Sequence, residues 1–70
     1  MNFVKLHKGV YYNVDEIRRI YVTQNLEGEF IVKIYVESEG EFVLRTFKER
    51  DEADDYLDKL IRYLNKENSN

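Results

Sequence analysis

The stretch NVDEIRRIYV, Asn13 to Val22, decides how this chain folds. Its apolar residues first stand three apart, at Val14, Ile17 and Ile20, and then two apart, at Ile20 and Val22. A helix would keep the wider spacing, and a strand would keep the spacing of two. Val14 to Arg18 is too short for a helix of its own. Asn13 and Asp15 carry side chains that bond nearby backbone and favour turns. The stretch is therefore a joint: a turn, or one helical turn, at a corner. Ile17 enters the core from it, and RRIYVTQ (Arg18 to Gln24) leaves as a strand.

Working outward, FVKL (Phe3 to Leu6) and VYY (Val10 to Tyr12) form a short hairpin around His7-Lys8-Gly9, with Gly9 available for positive φ. On the other side, the turn Leu26 to Glu29 leads into EFIVKIYVE (Glu29 to Glu37), the densest run of β-branched and aromatic residues. Ser38-Glu39-Gly40 then returns the chain into EFVLRTF (Glu41 to Phe47). The last three strands make an antiparallel meander. A helix follows, with Asp51 as the N-cap candidate. Ala53, Tyr56, Leu57, Leu60, Ile61 and Leu64 fall on one stripe of it. Asp55 with Lys59, and Asp58 with Arg62, stand four apart in the favourable order, worth ~0.2–0.5 kcal/mol each. The fold class is α+β: an N-terminal hairpin plus a meander, about five strands in all, with one C-terminal amphipathic helix packed on one face. Residues 1–66 form a single domain, and residues 67–70 lack apolar anchors and should fray.

Seventy residues allow one small core. Such a chain buries only roughly 60% of its unfolded surface, so packing or association must make up the rest. There is no cysteine, which excludes disulfides and thiolate metal sites. The net charge of −3 argues against a general nucleic-acid or acidic-membrane binder. No segment reaches the length of a membrane span, and MNFVKLHKG is too short and polar for a signal peptide. The expected location is the cytoplasm.

Alternation assigns the two faces of the meander. Phe30, Val32, Ile34 and Val36, with Phe42, Leu44 and Thr46 and with Ile20 and Val22, should meet the helix. The opposite face carries Tyr21, Thr23, Ile31, Lys33, Tyr35, Glu37, Val43, Arg45 and Phe47. A face that simply met water would be mostly polar, and this one holds several large apolar residues. Three occupants are open: the hairpin folded over it as the lid of a half-barrel, a second copy of the chain in a homodimer, or another protein or ligand. The expected partner-binding residues are Tyr21, Ile31, Lys33, Tyr35, Val43, Arg45 and Phe47. Tyr35 would lie at the centre, with Lys33 and Arg45 setting orientation.

Catalytic chemistry has little to work with. The single His7 has no partner histidine, the glycines are isolated at turns, and no nucleophile stands with a base. Glu37, Glu39 and Glu41 flank Gly40, but their spacing fits no calcium loop. The chain therefore reads as non-catalytic, with no cofactor and no metal. A second reading uses Arg18, Arg19, Tyr21, Lys33, Tyr35, Arg45 and Phe47 as a stacking platform for single-stranded nucleic acid. The acidic turn at Glu37, Glu39 and Glu41 opposes it.

The order of parts, with Asn13, Asp15, Ile17 and Ile20 at the joint, Val43 in the last strand and a helix from about Asp51, resembles the small bacterial flagellar proteins of the FlbD family. The long central strand and the tyrosine load depart from that pattern. The resemblance implies a small motility-linked accessory protein and carries no site residues with it. A short, acidic, Tyr-rich protein encoded by a phage or mobile element, acting as an inhibitor of a host protein, fits the same features.

Overall fold

The computed structural model describes residues 3–7 and 9–68, with only the backbone for His7, Glu67 and Asn68. Lys8 of the expected turn, the reading of the His7 side chain, and Ser69 and Asn70 of the tail lie outside the described residues. The elements are β1 (Phe3–His7), β2 (Val10–Asn13), β3 (Ile17–Gln24), β4 (Phe30–Val36), β5 (Gly40–Phe47) and α1 (Arg50–Asn68). Strands β1 and β2 form one antiparallel sheet, and β3-β4-β5 form a second.

The joint is a single turn of 3-10 helix, Val14–Glu16, between β2 and β3. Asn13 caps it: its side-chain oxygen accepts from the Asp15 amide at 3.0 Å. The Glu37 amide donates to the Glu16 carbonyl at 2.8 Å. The corner is thereby tied to the far end of β4, which fixes where β3 starts. Val14 and Ile17 pack against the core from it.

The core lies on one face of the larger sheet. Val32, Ile34 and Val36 of β4 are buried there with Leu44 of β5 and with Ala53, Leu60 and Leu64 of α1. The helix starts at Arg50, so Asp51 stands in its first turn and not at the cap expected for it. The Ala53 amide donates to the Glu49 carbonyl at 3.3 Å, which makes Glu49 the capping position. Asp51 still faces the positive end of the helix. The Asp55–Lys59 and Asp58–Arg62 pairs both form, at 3.0 Å. Ile61 does not join the core and is 43% exposed. It sits about 80° around the axis from Ala53, at the rim of the stripe. The helix continues to Asn68, into the stretch expected to fray.

Two observations settle which faces are covered. First, the hairpin stands on the helix side. Val4 and Tyr12 are buried in the same core, and the Tyr12 ring lies 5.7 Å from that of Phe42. The expected alternative of a lid over the second face is therefore overturned. Second, β5 contains a bulge. Val32 is opposite Arg45 and Lys33 is opposite Val43, so Leu44 is the extra residue. Beyond it the alternation of β5 inverts. Thr46, expected in the core, is opposite Ile31 and exposed, and Phe47 is opposite Phe30 on the helix side.

Candidate interaction face

The face of β3-β4-β5 that no described element covers is a grid of three cross-strand rows, set by the register. Arg19, Tyr35 and Glu41 form the first row. Tyr21, Lys33 and Val43 form the second. Thr23, Ile31 and Thr46 form the third. These residues alternate with Ile20, Val22, Val32 and Ile34, which face the core, so the strand pleat alone aims them outward. Tyr35 is 38% exposed and Val43 47% exposed.

Five of the residues expected for the site are brought together here: Tyr21, Ile31, Lys33, Tyr35 and Val43. Arg45 and Phe47 are not. The bulge at Leu44 turns both toward α1, where the Phe47 ring lies 5.5 Å from that of Tyr56. The Arg45 guanidinium lies 5.5 Å from the centre of the Phe47 ring and 5.9 Å from that of Tyr56. Both belong to the packing of the helix on the sheet. Arg19 joins the face, where Thr23 stands as expected, and Arg19 was visible in the sequence only as a member of the nucleic-acid set.

The grid is wired by charge. The Tyr21 hydroxyl donates to the Glu41 carboxylate. Lys33 reaches the same carboxylate at 4.0 Å, and the Arg19 guanidinium stacks 4.4 Å from the centre of the Tyr21 ring. The hydrogen bond to Glu41 is the main cause that holds the Tyr21 phenol above its ordinary pKa of 10.0; desolvation and the Glu41 charge add to it, and Arg19 opposes it. At one end of the face Arg18 pairs with Glu37. Glu37 and Glu41 are thus committed to neighbouring cations and a phenol. Among the described residues no group of three His, Asp or Glu side chains is placed to hold a metal ion.

A second apolar surface escaped the sequence reading. On the outer side of the hairpin Phe3 is 58% and Tyr11 62% exposed. The signal for it was available: in a two-stranded ribbon, burying Val4 and Tyr12 must turn Phe3, Lys5 and Tyr11 outward. The β3–β4 turn forms an open recess of ≈ 300 Å³ lined by Glu27, Gly28, Glu29 and Lys48. Its geometry is accounted for by Asn25, whose side-chain oxygen accepts from the Glu27 and Glu29 amides at 3.0 and 2.9 Å.

No family model matches the chain, and neither does any curated protein or solved structure. Among the described residues no helix is long and apolar enough to cross a membrane.

Proposed function

We propose that this protein is a small non-catalytic binding module, a cytoplasmic accessory or regulatory protein that acts by burying the outer face of β3-β4-β5 against another protein chain. The observation that carries this reading is the placement of the hairpin. It stands with the helix on the opposite side, so Tyr35 and Val43 remain exposed on the same sheet face as Ile31, grouped around Lys33. An exposed apolar patch edged by charge is a mark of an interaction surface. Tyrosine and arginine, both present here, are enriched at protein interfaces.

Single-stranded nucleic acid is the competing ligand, favoured by the stack of Arg19 on Tyr21 beside Lys33. It is the weaker reading, because Arg45 and Phe47 face the helix and Glu41 lies among the cations. Salt dependence separates the two, since phosphate contacts weaken steeply with salt and apolar protein contacts do not.

The test is a photoreactive amino acid placed at Val43, with the same group at Asp58 on the outer face of the helix as control. In cells producing the protein, adducts from position 43 that are absent from position 58, and lost with Tyr35→Glu, support the face. Equal labelling at both positions, or none at position 43, would sink the reading.

A further inference from the structure

We infer that the partner of this face is a second copy of the chain, packed sheet against sheet about a two-fold axis running along β4. The inference rests on the reading of the face as a protein-binding surface and goes further by committing it to one occupant. Its warrant is the order of charges along the first row, where Arg19 and Glu41 stand at opposite ends with Tyr35 between them.

A two-fold axis along the central strand keeps each row in place and exchanges its ends. Arg19 then meets Glu41 of the second copy, and Glu41 meets its Arg19. Tyr35 meets Tyr35, and Ile31 meets Ile31. Tyr21 lies against Val43, and Thr23 against Thr46. Apart from Lys33, the face is therefore complementary to itself in charge and in polarity, which is what a closed isologous contact requires. The other axis in the plane, across the strands, places Arg19 over Thr23 and Glu41 over Thr46 and matches neither charge. Sheets pack about 10 Å apart, a gap that an arginine and a glutamate together span.

Lys33 lies on the axis and meets its own copy. Glu41, 4.0 Å away in the same chain, partly neutralises it. This residue limits the affinity. So does area: three strands about 4.8 Å apart and three rows about 6.8 Å apart give roughly 300 Å² of flat surface per copy. That is well under the ~800 Å² per partner of a standard interface, so the association is weak and reversible.

The experiment is sedimentation equilibrium on the full chain from roughly 10 µM to 1 mM, a range suited to a small interface. The variants are Arg19→Glu, Glu41→Arg, their equimolar mixture, Lys33→Leu and Tyr35→Glu, each first checked for folding by circular dichroism. The expected result is a concentration-dependent dimer in the wild type and at least about a tenfold rise in dissociation constant for either reversal alone. The mixture should recover a heterodimer. It sets an introduced carboxylate against an introduced guanidinium at one end and keeps the native Arg19–Glu41 pair at the other. Lys33→Leu should tighten the dimer. Glu41→Gln serves as the milder variant if Glu41→Arg fails to fold, and should weaken the dimer less than the reversal of Arg19.

A wild type monomeric throughout would overturn the inference; so would a dimer indifferent to both reversals, or a mixture that does not recover. The parent reading fails separately. A monomer that still gives Tyr35-dependent adducts from position 43 leaves the face as a surface for a different protein. A dimer indifferent to Tyr35→Glu as well moves self-association to another surface.

Discussion

Replacing Phe47 by alanine should destabilise the fold far more than replacing Val43 by threonine. Both residues lie on β5 at odd positions, and simple alternation puts them on the same face. The bulge at Leu44 separates them: Phe47 packs on Tyr56 at 5.5 Å, while Val43 points outward and is 47% exposed. Deleting a fully buried Phe costs about 3–5 kcal/mol, and a half-buried one in ring contact with a tyrosine costs about 2–3 kcal/mol. For a chain of 70 residues, total stability is roughly 3.5–10 kcal/mol, so the loss is a large share of it. At about 4–8 °C per kcal/mol, the melting temperature should fall by roughly 10–20 °C. Val43→Thr keeps the β-branch and changes an exposed site, so its effect should stay within about 0.5 kcal/mol, or a few degrees. The assay is thermal and urea denaturation followed by circular dichroism. Equal shifts for the two variants would refute the bulge and return Phe47 to the outer face.

Three further outcomes follow from the same geometry. Leu60→Ala should cost about 2–5 kcal/mol and Ile61→Ala less than about 1 kcal/mol, because Leu60 is buried and Ile61 lies at the rim of the stripe; comparable urea midpoints would contradict the orientation of α1. Asn13→Ala removes the acceptor of the Asp15 amide and should cost about 0.5–2 kcal/mol, with faster hydrogen exchange at Asp15. The pKa of Tyr12 is raised, first by burial and then by Glu39, and that of Tyr21 first by its hydrogen bond to Glu41. Above the unfolded value of 10.0 the folded chain keeps protons that the unfolded chain has lost. The stabilisation is full below that value and is lost as pH rises through the folded values. Urea midpoints should therefore fall on the alkaline side, and Glu41→Gln should return Tyr21 toward ordinary titration by tyrosinate absorbance.

Much of the fold was legible because the signals are local. The change of period at Ile20 marks the corner, and Asn13 caps it as a turn residue should. Alternation in β4 placed Val32, Ile34 and Val36 correctly, since β4 is flanked by strands on both sides and these three inward residues are fully covered. Legibility ended where packing, not propensity, decides. Nothing in VLRTF announces the extra residue at Leu44. The bulge exists because Phe47, at the end of β5, has α1 to pack against while Thr46 does not. That inversion removed Arg45 and Phe47 from the expected site. The side taken by the hairpin was equally hidden, since it depends on the contact between Tyr12 and Phe42, thirty residues apart. Ile61 was misplaced for a geometric reason: a six-residue stripe is wider than the contact a three-stranded sheet makes with one helix.

The outer face is left open because the helix and the hairpin both pack on the core side. A helix about 10 Å wide does not span three strands set about 4.8 Å apart with their side chains. The core side therefore takes α1 along the sheet and the hairpin at the Phe42 end, where Tyr12 fills what the helix leaves. With both covering elements on one side, no described element covers the other. Folding alone would then favour threonine and lysine at every outward position of β3-β4-β5. Thr23, Lys33 and Thr46 obey that rule, whereas Ile31, Tyr35 and Val43 depart from it. Apolar side chains left exposed on a sheet that also has two edge strands are an aggregation liability. In the proposed dimer, opposite signs at the two ends of one row would favour a single two-fold contact that consumes the face and leaves a third copy no surface of the same kind to join.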